Sequence, residues 1–187
     1  TFMRFKLALV GLTCLAASLF VAFGQEPVPD AEGCKDSKLL ARFPGCYIEE
    51  CSAKEFDEVE LQIAPIQDEQ TAPTAKKRLE GQTETLTYGC PENVSAVQIA
   101  RNMENALRAA GYTIVFSGRN PSGDPLVTAQ KGAQWLQVST DTWPYPYYVQ
   151  TAVRVKEMEQ KVEASAEAFE EEIKRSGRVA VYGINFD

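Results

Sequence analysis

Between Ser95 and Val153 the chain prescribes one helix followed by a run of strands, and that order limits the architectures open to it more than any other feature. Ser95 with Gln98 makes a capping-box pattern, and Val94 with Ile99 is spaced for a hydrophobic staple, so two start signals agree. Ile99, Met103, Ala106, Leu107 and Ala110 then form one apolar face, and Gly111 supplies the stop. Strands are expected over 112–117, 126–130, 133–140 and 147–153, separated by turn-forming segments at 120–125, 131–132 and 143–146. Upstream, Glu58 to Ile63 alternates with period two and Thr83 to Tyr88 has strand composition, while 64–77, with Pro65 and Pro73, reads as an exposed loop. The expected fold class is α+β, an antiparallel sheet with one packed helix.

Both ends extend this picture. Arg4 and Lys6 precede an uncharged run from Leu7 to Phe23, and Ala22-Phe23-Gly24 has the small-x-small form of a signal-peptidase site, so residues 1–24 read as a signal peptide. Residues 25–57 are expected to form a flexible leader and a disulfide loop, and 58–153 the α+β domain. From Arg154 to Ser176, Val155, Met158, Val162, Phe169 and Ile173 recur at helical spacing with Ala166 between them. A long C-terminal helix over 154–177 is expected, a spacer of about 30 Å at 1.5 Å per residue. Its stripe suits docking on its own protein; pairing with a second copy, giving a homo-oligomer, is the alternative. Residues 178–187 alternate like a strand, and a lone strand cannot satisfy its own backbone, so they read as the opening strand of a further, truncated domain.

Removing the two cations of the leader takes the formal net charge from −7 to −9, a poor match for nucleic acid or anionic lipid. The chain contains no histidine, which excludes Ser-His-Asp and Cys-His catalysis and His-containing zinc sites within it. No motif calls for a cofactor or a metal. Cys34, Cys46, Cys51 and Cys90 remain after export, and in an oxidising compartment four cysteines favour disulfides in one of three connectivities. Cys34 with Cys51 closes a short loop and is favoured, which leaves Cys46 to pair with Cys90.

Trp135, Trp143, Tyr145, Tyr147 and Tyr148 are candidates to stack on a saccharide or peptide, although Trp135 and Tyr147 also fall within strand patterns that would bury them. Asp57, Glu58 and Glu60 contain a carboxylate pair, but alternation puts Glu58 and Glu60 on the solvent face. Asn93-Val94-Ser95 matches a glycosylation acceptor whose serine the helix cap already explains, and the loop from Gly118 to Asp124 lacks the pattern of a phosphate cradle.

The blocks Gly33-Cys34-Lys35-Asp36, Leu39, Arg42-Phe43-Pro44-Gly45, Ile48, Cys51 and Phe56-Asp57, followed by Ile99 to Gly111 with Arg101, Asn102, Glu104 and Asn105, resemble the N-terminal region of bacterial exported proteins that carry a C-terminal OmpA-like domain. Residues 178–187 look like the opening strand of that domain. The resemblance implies a Gram-negative protein of the periplasm or outer membrane, non-enzymatic, binding and structural in role, and associated with peptidoglycan and other envelope proteins. In that family an aspartate and an arginine grip the wall peptide, in motifs that would lie beyond Asp187, so no wall-binding residue is carried over onto this chain. Cys46 and Cys90 lie outside the shared pattern. The alternative is a periplasmic hydrolase or thiol enzyme using the acidic residues or a free cysteine such as Cys46.

Overall fold

Residues 28–68, 71–162 and 166–177 are described by a computed structural model. The expected signal peptide, 1–24, and the expected opening strand at 178–187 lie outside the described residues. In chain order the elements are β1 (Tyr47–Gln62), β2 (Lys76–Gly89), α1 (Ala96–Ala109), β3 (Thr113–Arg119), β4 (Pro125–Lys131), β5 (Gln134–Asp141), β6 (Tyr147–Val155) and α2 (Ala166–Ser176). The strands form one sheet in the order β1-β2-β6-β5-β4-β3, with every neighbouring pair antiparallel. β1 and β2 make a long hairpin; α1 carries the chain from β2, next to one edge, to the opposite edge, and the meander from β3 to β6 returns to pair with β2.

α1 starts where its sequence says it should. The Ser95 hydroxyl accepts the Gln98 backbone N–H at 3.1 Å. At the other end the Gly111 N–H donates to the Arg108 carbonyl and the Tyr112 N–H to the Leu107 carbonyl, each at 3.0 Å, the paired bonds of a Schellman cap. Gly111 takes φ +82°, which this cap requires. The buried face is Ala96, Ile99, Ala100, Met103 and Leu107, so the expectation that Ala106 and Ala110 face the core is corrected: both are exposed. Alanines on every side of this helix blur its periodicity; the large residues fix the face. Ile99, Met103 and Leu107 pack on Val127, Leu136 and Val138 of the sheet, each burial contributing about 1.5–3 kcal/mol.

The N-terminal segment covers the rest of that face through Leu40, Phe43 and Cys46. Cys34 is bonded to Cys51 and Cys46 to Cys90, the favoured connectivity, and two disulfides suit an oxidising, exported environment. The described part of the expected flexible leader is tied down. Asp30 accepts both Arg42 terminal nitrogens at 2.6 and 2.7 Å and the Ile48 N–H at 2.8 Å, while Arg42 Nε donates to Asp36 at 2.7 Å. Beneath this cluster Tyr88 and Tyr148 stack at 4.7 Å, and the Tyr148 hydroxyl accepts the Phe43 N–H at 3.0 Å.

The Arg42 side chain, and then the Ile48 N–H, holds the Asp30 carboxyl at about 2, below its ordinary 3.8. A depressed carboxyl stabilises the fold above its unfolded pKa, and that contribution is lost as pH falls through the folded value. Arg42→Ala is therefore expected to cost about 1 kcal/mol at pH 6, allowing for solvent screening of this partly exposed pair, and less at pH 2.5. Urea unfolding at the two pH values checks this; an equal loss at both would show that Arg42 acts by packing alone.

Part of the second face of the sheet is covered by the β1–β2 arm folding back on it. β1 has a register shift between Lys54 and Asp57, and opposite it Gly81 takes φ +154°. A Cβ at Gly81 would sit 2.1 Å from the Arg154 carbonyl oxygen, so only glycine permits the bend. Beyond the bend, Leu61 and Leu79 pack on Trp135 and Val153. The Gln62 N–H donates to Gln137 Oε1 at 2.7 Å, Gln62 Nε2 to the Arg119 carbonyl at 2.9 Å, and the Thr128 hydroxyl to the Gln62 carbonyl at 2.6 Å. These bonds fasten the end of β1 across β4 and β5.

The expected α+β balance is corrected. Among the described residues one six-stranded antiparallel sheet dominates, 44% strand against 14% helix, and no long C-terminal helix is found. Arg154 and Val155 belong to β6, where Gln82 and Gly81 face them across the ladder with β2, and residues 156–162 are not helical. α2 is an 11-residue helix, far short of the expected 154–177. Val155, Met158, Val162 and Ile173, the described large residues of the expected stripe, are all exposed. A helical pattern without a surface to pack on gains little, and the strand hydrogen bonds take its first residues.

Candidate functional site

At the end of the sheet where β2 stops and β5 turns into β6, a cleft of about 690 Å³ opens. Its walls come from β1 (Glu49), the β3–β4 turn (Asp124), the end of β5 (Asp141), the β5–β6 loop (Trp143, Tyr145) and the start of β6 (Tyr147).

The loop is shaped by its own sequence. Asp141 Oδ1 accepts the N–H groups of Thr142 at 2.7 Å and Trp143 at 3.0 Å, so the aspartate closes the turn as β5 ends. Pro144 and Pro146 have no N–H and cannot extend the β5–β6 ladder, and the Pro146 carbonyl accepts instead from Cys90 N at 2.8 Å. The outcome is an indole held out from the protein: Trp143 is 81% exposed. Tyr145 and Tyr147 meet edge to face at 6.4 Å beside it. On the opposite wall, Glu49 Oε1 accepts the hydroxyls of Tyr145 at 2.6 Å and Tyr47 at 2.9 Å, over a glycine, Gly89, whose missing Cβ leaves room for them. Asn120 builds the third wall, accepting the Asp124 N–H at 2.9 Å and donating to the Thr140 carbonyl at 2.9 Å, which ties the β3–β4 turn to β5.

Three carboxylates and three aromatic rings line this space, and no lysine or arginine does. The Trp143 N–H bond, with that of Thr142, holds the Asp141 carboxyl below its ordinary value, so it is charged at neutral pH. The hydrogen bond to Glu49 pushes the Tyr145 hydroxyl up to about 12; burial, then the nearby Asp141 charge, raises Tyr147, and burial, then Glu49, raises Tyr47. These shifts move Asp141 and the tyrosines away from neutrality, the opposite of what proton transfer at pH 7 requires. Among the described residues no three histidine, cysteine, aspartate or glutamate side chains gather to hold a metal ion. Chemically, the arrangement can stack on a flat or apolar group and accept hydrogen bonds from it.

Of the stacking candidates, the fold brings together Trp143, Tyr145 and Tyr147 and separates the other two. Trp135 is buried on the second face, with Lys77 Nζ 5.3 Å from its ring centre. Tyr148 is buried on the first face against Tyr88. The acidic candidates are solvated ion pairs: Asp57 with Lys54 at 2.7 Å, Glu58 with Arg78 at 3.3 Å and Glu60 with Lys76 at 3.3 Å. Cys34, Cys46, Cys51 and Cys90 are all bridged, so none offers a thiolate. Sequence reasoning missed Glu49, Asp124 and Asp141. Asp141, two residues before Trp143, carries a turn signal; Glu49 is 96 residues from Tyr145, the partner that brings it into the cleft.

No family model matches the chain, and no curated protein matches it.

Proposed function

We propose that this chain is an exported, non-enzymatic binding module of the bacterial cell envelope, working in the periplasm or at the outer membrane, that holds a partner in the Trp143 cleft. The observation that carries the proposal is the 81% exposed indole in a preformed cleft, a costly feature for a surface that does nothing. Two disulfides and an acidic composition support an exported role. The resemblance to the N-terminal region of OmpA-like-domain proteins supports the envelope, with other envelope proteins as the partners of the cleft. A thiol enzyme is disfavoured because Cys46 is bonded to Cys90. A carboxylate hydrolase is disfavoured because Glu58 and Glu60 are exposed and paired with cations.

The test is sedimentation with envelopes of a Gram-negative bacterium, isolated as membranes with their peptidoglycan. The oxidised protein should pellet with them, and Trp143→Ala together with Tyr145→Ala should leave at least about five-fold more in the supernatant, the loss expected for a stacking anchor. Muropeptide release from the same envelopes should not rise. A protein that stays in solution overturns the binding reading, and release of muropeptides revives the hydrolase.

A further inference from the structure

We propose that the Trp143 cleft receives a cationic side chain, the ammonium of a lysine or the guanidinium of an arginine, presented by a basic segment of a partner protein. This rests on the envelope-binding reading and names the ligand of the same site. Trp143 offers the aromatic face best suited to a cation, with most of its surface open to water. Around it stand Glu49, Asp124 and Asp141 with no cation among the lining residues, so the cleft concentrates negative potential. An anionic ligand is repelled by that arrangement, and a neutral sugar leaves its charges uncompensated. An ammonium or guanidinium satisfies both walls at once, its methylenes against Trp143 and its charge toward the carboxylates.

The rest of the molecule supplies a contrast. Three other aromatic rings are each covered by a cation of this chain: Lys77 lies 5.3 Å from the Trp135 ring centre, Lys131 5.7 Å from that of Tyr112 and Arg42 5.8 Å from that of Tyr88. Among the described residues no such cation covers Trp143, Tyr145 or Tyr147. Arg119, in the hairpin that carries Asp124, is engaged with the Gly123 carbonyl. A metal ion is a poor substitute, because the three carboxylates do not converge on one point. The pocket is also preorganised, since Glu49 is fixed by two tyrosine hydroxyls and Asp141 by two backbone N–H groups.

The experiment is an NMR titration of the oxidised, isotope-labelled protein at low salt, with capped pentapeptides of glycine carrying a central lysine, arginine, norleucine or glutamate. The two tryptophans give separate indole signals, one exposed and one buried. The Trp143 signal should move with the lysine and arginine peptides and not with the norleucine or glutamate ones, while the Trp135 signal stays put. Trp143→Ala should abolish the response at the amides of Tyr145 and Tyr147. Glu49→Gln and Asp141→Asn keep an acceptor oxygen for the bonds that shape the site but remove a charge, and each should weaken binding about three-fold or more. Salt at 0.5 M should weaken it further. Equal response to the norleucine or glutamate peptide, or no effect of the two charge-removing variants, overturns the assignment. Envelope retention that depends on Trp143 without any response to basic peptides overturns the cation and leaves the envelope reading standing; response to basic peptides without envelope retention does the reverse.

Discussion

Replacing Cys46 and Cys90 together by alanine is expected to lower the unfolding free energy by about 4 kcal/mol, the loop-closure value for a bridge spanning 44 residues. Both cysteines are buried in the main cluster, so the bridge works where the N-terminal segment meets the end of β2. The Cys34–Cys51 bridge spans 17 residues, and its removal should cost about 3 kcal/mol. The larger loss has a second expected signature. Cys46 lies three residues before Glu49, and the Cys90 N–H donates to the Pro146 carbonyl of the loop that carries Trp143, so the bridge braces two walls of the cleft. Guanidinium unfolding of the two double variants gives the order, and the Trp143 indole signal reports the cleft. A loss below about 1 kcal/mol for the Cys46–Cys90 pair would mean that packing of Leu40 and Phe43 holds the segment without the bridge.

Much of the sheet is legible because its strands carry their own turns. The β3 to β6 meander follows the alternation and the breaks at 120–125, 131–132 and 143–146, with boundaries shifted by one or two residues. Alternation marks only 58–62 of β1, because its middle, from Glu50 to Glu55, is exposed on an edge and shows no periodic apolar residues. The fold-back of the arm depends on Gly81 beside the Arg154 carbonyl, a contact between residues far apart in the chain. The long C-terminal helix fails for the opposite reason. Its periodicity is real, but Val155 is claimed by the ladder, and Met158 and Val162 are largely exposed. In the cleft, the aromatic half is visible as a cluster of rings around two prolines; the acidic half arrives from β1, the β3–β4 turn and β5, and only the fold assembles it.

Gln150→Met is expected to stabilise the protein by about 2 kcal/mol, the scale set by the unpaired amide it removes. Gln150 is 1% exposed, on the face of β6 that also carries Tyr148 and Ala152, with Leu86 and Val138 directly across on the neighbouring strands. Neither its Oε1 nor its Nε2 has a hydrogen-bond partner. A buried amide that satisfies neither end carries a desolvation cost of about 1–3 kcal/mol for each group left unpaired, while an unbranched thioether of similar volume fills the same space without it. Gln150→Glu supplies the control: its shape is unchanged, but the fold must now bury a charge or a proton-bearing acid, so stability should fall steeply at pH 7 and recover as the pH drops below the ordinary carboxylate range. The sign follows from linkage, because burial raises the folded pKa and the unfolded chain gains by ionising at neutral pH. Urea midpoints at pH 7 and pH 4, with the slopes unchanged, decide the matter. A Gln150→Met variant less stable than the parent would mean that the amide is paired in solution, and the core around β6 would then owe part of its order to a polar contact rather than to Leu86, Val138 and their neighbours alone.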